Sequence, residues 1–163
     1  MYCYCCPIDY CGISVKVTRR RRARSYELVG INAWNGGKMT KILYVALGGS
    51  IGAVSRYGIG LLAVRLFGSR FPWGTLIVNL AGCFLVGLAF ALAERGSNIM
   101  HPSARLFFVT GYLGALTTFS AYTLETVNAL SAETHMVALA NVLLNNVLGA
   151  ALVFLGMWVG RME

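Results

Sequence analysis

Four long apolar stretches follow residue 38, and they constrain the fold more than any other feature of the chain. They cover residues 40–67, 73–94, 104–130 and 135–160, with short polar breaks between them. A helix needs about 20 residues to cross ~30 Å of hydrocarbon, so each stretch is long enough to span a bilayer. The sequence therefore predicts an all-α membrane protein with four transmembrane helices.

Composition supports a membrane location. Charged residues make up only 12% of the chain, against ~25% in typical soluble domains, and hydrophobic residues make up 57%. A chain of 17.6 kDa has too much surface for its volume to bury so many apolar side chains in water. These values exclude an ordinary soluble enzyme, and we expect a multi-pass protein of the cell (inner or plasma) membrane. An intramembrane enzyme is not indicated either, because no nucleophile–base pair or metal-ligand set is visible.

The first 38 residues differ sharply from the rest. They carry seven of the 14 basic residues, with a cluster at Arg19–Arg22, and only two acidic residues. They also hold four of the five cysteines, at Cys3, Cys5, Cys6 and Cys11. This cysteine spacing does not match zinc modules, and the basic cluster is a weak signal for nucleic acid or anionic lipid. We expect residues 1–38 to be a disordered or untranslated extension, Met39 to be the initiator, and residues 39–163 to be the functional domain, with no nucleic-acid partner.

Lys and Arg residues near the ends of the apolar stretches give only a weak topology signal. Without residues 1–38, four lie on the side of the termini and two on the opposite side: Lys41, Arg95, Arg105 and Arg161 against Arg65 and Arg70. A chain with so small a bias can insert in both orientations. Two oppositely inserted copies can pair about an axis in the membrane plane, which allows an antiparallel, dual-topology dimer. If the extension is translated, its basic cluster favours a cytoplasmic N-terminus and disfavours dual insertion.

Polar side chains recur inside the apolar stretches, where they are costly unless they face a cavity or a partner. Nearly all are neutral hydrogen-bond donors, which suit a small anion better than a cation. Because Ser and Thr often bond a carbonyl of their own helix and Asn does so less easily, Asn79 is the strongest candidate. Glu125 and Arg56 are each open to a structural or a pathway role. The neutral set comprises Thr75, Asn79, Thr117, Thr118, Ser120, Tyr122, Thr123, Asn141, Asn145 and Asn146.

A helix break is predicted in the middle of the third stretch. Gly111 and Gly114 precede two β-branched residues, Thr117 and Thr118. A break at membrane depth is tolerated only where protein buries it or where it lines a cavity. It exposes carbonyl oxygens that can hold a cation, and it re-aims Phe119, whose partly positive ring edge can face an anion.

Three motifs resemble the signatures of the CrcB/Fluc family of fluoride channels. They are GGSIGAVSRY at 48–57, GTLIVNLAG at 74–82 and GYLGALTTFS at 111–120. The segment NVLLNNVLG at 141–149 is similar more loosely. The resemblance covers residues 39–163 in order and spacing and does not extend to the extension.

The resemblance implies a passive channel that exports cytoplasmic fluoride and so protects against its toxicity. It also implies an antiparallel homodimer with two pores and a structural sodium ion at its centre. A homologous subunit is the alternative partner. Such an assembly binds fluoride and sodium ions and is embedded in the lipid bilayer.

The resemblance further implies roles for single residues. Asn79 corresponds to a donor to fluoride, and Phe119 to a ring whose edge meets the ion. Tyr122 stands at the position of the second ring, Ser120 and Glu125 match the polar track beside the rings, and Arg56 matches a vestibule or structural group. The backbone carbonyls of Gly114 and Thr117 match the sodium site. Asn141 and Asn145 are candidates for lining the pore, although they are not part of the family pattern.

The chain departs from the family pattern at five positions. Tyr122 stands where a second phenylalanine is usual, and its hydroxyl either bonds the ion or plugs the aromatic pair. Ala115 replaces a usual glycine, and Ala121 replaces a usual threonine, so the polar track loses one hydroxyl. Asn141 and Asn145 stand where hydroxyl residues are common.

Two other functions remain open from the residues. A small proton-coupled multidrug transporter has four spans and a weak topology bias, but it needs a carboxylate in its first span, and residues 40–67 contain no Asp or Glu. A non-conducting membrane scaffold predicts stripes of Gly and Ala without the Asn and hydroxyl groups. The polar set therefore favours the channel.

Overall fold

The computed structural model describes residues 38–95 and 101–162. Within these ranges the chain is helical and has no strand, which confirms the predicted all-α class for this part of the protein. The predicted extension of residues 1–38, with its basic cluster and cysteines, lies outside the described residues apart from the backbone of Lys38.

Two uninterrupted helices come first. Helix α1 covers Lys38–Phe67, and α2 covers Trp73–Arg95. Gly68 ends α1 with a φ of 78°, and its N–H donates to the carbonyl of Val64 at 3.0 Å. Glycine adopts this left-handed conformation without a steric penalty, so the chain can turn sharply there and enter α2.

The third apolar stretch forms two helices, α3 and α4. Helix α3 runs over 102–116 and joins an α-helical turn Pro102–Arg105, a π-helical segment Leu106–Leu113 and a last turn Gly114–Leu116. Helix α4 covers Phe119–Ser131. The predicted break is therefore present, and it lies at Thr117 and Thr118.

The last apolar stretch forms one continuous helix, α5, over 135–161. It consists of His135–Leu143, a π-helical segment Leu144–Leu148 and Gly149–Arg161. Arg161 near its end forms an ion pair with Glu94 near the end of α2, with 2.9 Å between Nη2 and Oε2. The carboxyl-terminal ends of α2 and α5 therefore lie side by side.

Three helices among the described residues are long and apolar enough to cross a membrane. They are Met39–Phe67, Trp73–Glu94 and His135–Arg161. The predicted third span, 104–130, differs because the break divides it into two helices that are each shorter than the ~20 residues a bilayer requires.

The helices approach one another through glycine. A Cβ atom at Gly48 of α1 would overlap the carbonyl oxygen of Phe107 in α3, and one at Gly156 of α5 would overlap the carbonyl oxygen of Phe84 in α2. Helices in lipid gain little from burying apolar side chains against each other, so close backbone approach takes that role. Both glycines therefore lie where two helix backbones come into direct contact.

A small apolar cluster positions the break. Leu113 and Leu116, in the last turns of α3, pack against Val78 of α2, and all three are buried. Val78 directly precedes Asn79 in the sequence. The cluster therefore sets the distance between Asn79 and the chain that follows Leu116.

Candidate functional site

The chain is extended at the break. Thr117 has φ −80° and ψ 154°, and Thr118 has φ −150° and ψ 119°. The N–H of Thr117 still donates to the carbonyl of Leu113 at 3.1 Å, but the backbone polar groups of Thr118 need partners outside the helix. Asn79 supplies two of them, because its Oδ1 accepts from the N–H of Thr118 at 2.9 Å and its Nδ2 donates to the carbonyl of Thr118 at 3.2 Å.

Two carbonyl groups at the break lose their usual helical donors. In a continuous helix the carbonyl of Gly114 would accept from the N–H of Thr118, and that of Thr117 from the N–H of Ala121. Here the N–H of Thr118 donates to Asn79, and the N–H of Ala121 donates to the Thr118 hydroxyl at 3.2 Å. These are the two carbonyls that the resemblance assigns to sodium.

Three asparagines form a hydrogen-bonded ladder from α2 into α5. Asn79 Nδ2 donates to Asn145 Oδ1 at 2.9 Å, and Asn145 Nδ2 donates to Asn141 Oδ1 at 2.9 Å. Asn141 Nδ2 then donates to the Thr126 hydroxyl of α4 at 2.9 Å. The ladder ties the break to α4 and α5 and fixes the orientation of each amide.

A cavity of about 380 Å³ lies beside this ladder, between the break, α2 and α5. Its wall combines neutral polar groups with two aromatic rings. Those groups include Asn79, Thr117, Thr118, Phe119, Tyr122, Asn145 and Asn146, with the thiol-bearing Cys83 next to Gly82. No Asp, Glu, Lys or Arg belongs to this wall, so its donors act without a fixed charge.

The two rings lie at one side of the cavity. Phe119 and Tyr122 have centroids 5.5 Å apart and planes inclined by 53°. Phe119 is 76% exposed, so most of its ring has no partner within the described residues. The Tyr122 hydroxyl accepts a hydrogen bond from Asn146 Nδ2 at 2.9 Å.

A second polar pair includes Thr75, one helical turn before Asn79 in α2, and lies outside the wall of this cavity. The Thr75 hydroxyl donates to Glu125 Oε1 at 2.6 Å, and Glu125 Oε2 is buried without a hydrogen-bond partner in the part of the chain that is described. Both residues border a second cavity of about 590 Å³. Arg56 and Thr75 border a third one, of about 310 Å³.

The predicted site residues thus fall into separate groups. The cavity brings together Asn79, Phe119, Tyr122 and Asn145, with Thr117 and Gly114 at its edge. Asn141 is fully buried in the ladder and does not reach the cavity wall. Ser120 is exposed and lies 3.3 Å from the Thr118 hydroxyl, whereas Glu125 and Arg56 border the other two cavities.

The wall includes Asn146, which the sequence does not assign to the site. Asn146 was recognised only as a polar group in the last stretch, beside Asn145. Its neighbour Tyr122 is 24 residues away, so no local spacing reveals the contact. The signal in the sequence is the pair of successive asparagines in an apolar helix. Because neighbouring residues point to different sides of α5, Asn146 needs partners other than those of Asn145.

Comparison with known proteins adds sequence similarity to this geometry. A family model described as "CrcB-like protein, Camphor Resistance (CrcB)" matches residues 43–157. A protein of Shewanella amazonensis named "Fluoride-specific ion channel FluC" is 49% identical over 118 residues, which is 72% of this chain and 94% of the relative. Relatives with the same name from Salinibacter ruber and Dehalococcoides mccartyi are 48% and 42% identical, and the matches cover 87% and 95% of their lengths.

Proposed function

The chain belongs to the CrcB family, and we propose that it is a fluoride-selective channel through which cytoplasmic fluoride leaves the cell passively. It is a multi-pass protein of the cell membrane and not an enzyme. Export of this kind protects the cell because it removes fluoride from the cytoplasm. The ion undergoes no chemical change in the process.

The observation that carries the proposal is a cavity of neutral donors at a helix break. Fluoride is small and strongly hydrated, so it enters a pore only where hydrogen-bond donors replace its water. Amide N–H groups, hydroxyls and ring edges do this without the fixed positive charge that would trap the ion. Conduction needs binding that is strong enough for entry and weak enough for exit.

Asn79 has to exchange one partner to act in this way. Both hydrogens of its amide are engaged, one at 3.2 Å with the Thr118 carbonyl and one at 2.9 Å with Asn145. A hydrogen bond to an anion is roughly twice as strong as one between neutral groups, so fluoride can displace the longer bond. Asn79 then has two roles, since it holds the break and also donates to the ion.

The other pathway residues follow from their positions. Phe119 and Tyr122 present ring edges to the ion, and Asn145 and Asn141 hold the Asn79 amide in place. Ser120 and Glu125 line the route beyond the rings, and Arg56 lies at a vestibule beside Thr75. No residue in this set except Glu125 and Arg56 carries a full charge.

We also propose that the working unit is an antiparallel homodimer with a sodium ion at its centre. The exposure of Phe119 supports a partner surface at the rings, because a bare aromatic side chain beside a polar cavity is otherwise open to lipid. The carbonyls of Gly114 and Thr117 fit a sodium site, since their helical donors are engaged elsewhere. Two carbonyl oxygens are few ligands for a cation, and a second copy of the chain would supply two more. The ion would hold the two breaks together.

Fluoride efflux from proteoliposomes tests the proposal. Vesicles loaded with fluoride or chloride receive the full chain or residues 39–163, and an electrode records release after a potassium ionophore is added. We expect rapid fluoride release without chloride release in both preparations. Release of neither anion from dimeric protein would contradict the channel and favour the transporter or the scaffold.

A further inference from the structure

We propose that the hydroxyl of Tyr122 donates a hydrogen bond to fluoride in the cavity, and that Asn146 is the positioning residue that orients it. This inference rests on the proposed function and identifies a further selectivity group in the same site. It depends on a phenol and an amide that meet across α4 and α5.

The hydrogen-bond inventory of the pair leads to this assignment. A tyrosine hydroxyl has one hydrogen to donate and lone pairs to accept. Asn146 Nδ2 uses one hydrogen on the carbonyl of Val142 at 2.8 Å and the other on Tyr122 Oη at 2.9 Å. The phenol is therefore the acceptor in this contact, and no acceptor for its own hydrogen is present among the described residues. That hydrogen is available to a ligand.

The position of Asn146 fixes the direction of the phenol hydrogen. Only the amide nitrogen can donate to the Val142 carbonyl, so the nitrogen end of the amide faces Tyr122. Because one lone pair of Oη accepts from that nitrogen, the O–H bond points away from Asn146. Both residues belong to the wall of the cavity that also contains Asn79 and Phe119.

The hydroxyl adds a stronger donor to a site made mostly of weak ones. A ring edge attracts an anion only through its quadrupole, whereas an O–H group makes a directed hydrogen bond. Accepting from Asn146 polarises the phenol and strengthens its own donation. We therefore expect Tyr122 to tighten fluoride binding in the cavity and to slow exit from it.

The test measures fluoride flux against fluoride concentration for the full chain in proteoliposomes. Tyr122→Phe removes only the hydroxyl, and we expect the half-saturating fluoride concentration to rise about tenfold, as for the loss of one hydrogen bond to a charged group. The maximal rate should stay equal or rise, because weaker binding speeds exit. Tyr112→Phe is the matched control, because the Tyr112 ring stacks on Phe108 with 5.6 Å between the centroids and is not part of the cavity wall. It should leave the half-saturating concentration and the maximal rate unchanged.

Asn146 is tested by a double-mutant cycle. Asn146→Leu keeps the phenol and removes its orienting donor, so the half-saturating concentration should rise in the parent protein. The same substitution should have no effect in a Tyr122→Phe background, because no hydroxyl remains to be oriented. An equal effect in both backgrounds would assign Asn146 a structural role and overturn the inference.

The experiments can reject the proposed function and the role of Tyr122 separately. A parent protein that passes no fluoride rejects the proposed function and this inference with it. A parent protein that conducts, together with an unchanged half-saturating concentration in Tyr122→Phe, rejects only the inference. If Tyr122→Phe is not recovered as folded protein, an unchanged concentration in Asn146→Leu rejects it equally.

Discussion

The side chain of Asn79 holds both backbone polar groups of Thr118, which lies 39 residues later in the sequence. Its Oδ1 accepts from the N–H at 2.9 Å, and its Nδ2 donates to the carbonyl at 3.2 Å. An unpaired backbone group away from water costs free energy comparable to a lost hydrogen bond. One asparagine therefore makes an extended residue acceptable in the middle of an apolar stretch, next to the proposed ion path.

The first prediction concerns Asn79→Ala. We expect fluoride efflux to fall at least tenfold while the protein still forms a dimer, because a donor to the ion is lost. We also expect a lower midpoint of thermal unfolding in detergent, since two backbone groups of Thr118 lose a partner at about 1–3 kcal/mol each. Ser131→Ala is the control, because Ser131 is exposed at the end of α4, donates to the Val127 carbonyl of its own helix and borders none of the three cavities. Lost efflux with an unchanged midpoint would show that Asn79 acts on the ion alone.

A second prediction uses the contact between Gly82 and Thr117. A Cβ atom at Gly82 would overlap Thr117 Cγ2, and the Thr117 hydroxyl is tied to the carbonyl of Leu113 at 3.1 Å. Gly82→Ala should therefore displace the break and reduce fluoride efflux. Gly58→Ala controls for the gain in helix propensity, because no atom lies within 4 Å of a Cβ there.

Rescue distinguishes this steric effect from a general loss of stability. Thr117→Ser removes the offending methyl group and keeps the hydroxyl. We expect Gly82→Ala with Thr117→Ser to recover most of the efflux that Gly82→Ala loses. Failure to recover would mean that Gly82 is required for a reason other than its distance from Thr117.

The third prediction concerns Phe119→Ile. Because the ring is 76% exposed in the protomer, its removal should not destabilise the fold of one chain. Efflux should nevertheless drop strongly, since isoleucine has no polarised ring edge for the anion. Phe154→Ile is the matched control, because Phe154 is 71% exposed on α5 and does not border the cavity. Equal efflux from both variants would remove the ring from the pathway.

Much of the fold could be predicted from the chain. Apolar length alone placed the first two spans at 40–67 and 73–94, and the helices are Lys38–Phe67 and Trp73–Arg95. The glycine and threonine pattern located the break to within a few residues. The π-helical segments Leu106–Leu113 and Leu144–Leu148 could not be predicted. An apolar sequence does not indicate whether the backbone hydrogen bonds of its helix span four residues or five.

The sequence shows which polar side chains lie inside the apolar stretches, but not how they connect. Asn79 was the strongest candidate because an amide is hard to satisfy within its own helix. Its partners Thr118 and Asn145 depend on how α2, α4 and α5 are rotated and spaced, which no local pattern encodes. For the same reason the burial of Asn141 and the contact between Asn146 and Tyr122 came only from the structure.

A fourth prediction concerns the pair of Thr75 and Glu125. Thr75→Val keeps the shape of the side chain and removes the hydroxyl that donates to Glu125 Oε1 at 2.6 Å. Glu125 Oε2 has no hydrogen-bond partner among the described residues, so the substitution would remove the hydrogen bond that the carboxyl group receives from Thr75. We expect a lower thermal midpoint and reduced efflux, with Thr75→Ser close to the parent. Thr123→Val is the control, because the Thr123 hydroxyl is exposed and bonds only the Phe119 carbonyl of its own helix.

The last prediction tests sodium at the carbonyls of Gly114 and Thr117. A ligand that binds only the folded protein stabilises it in proportion to the logarithm of its concentration above Kd. We therefore expect the thermal midpoint of the dimer to rise with sodium concentration, and to rise less with potassium or N-methylglucamine at equal ionic strength. Asn79→Ala should weaken this dependence, because Thr118 loses the side chain that holds its backbone and the two carbonyls are no longer fixed beside each other. Equal stabilisation by all three cations would be a salt effect, and it would leave the two carbonyls without a bound ion.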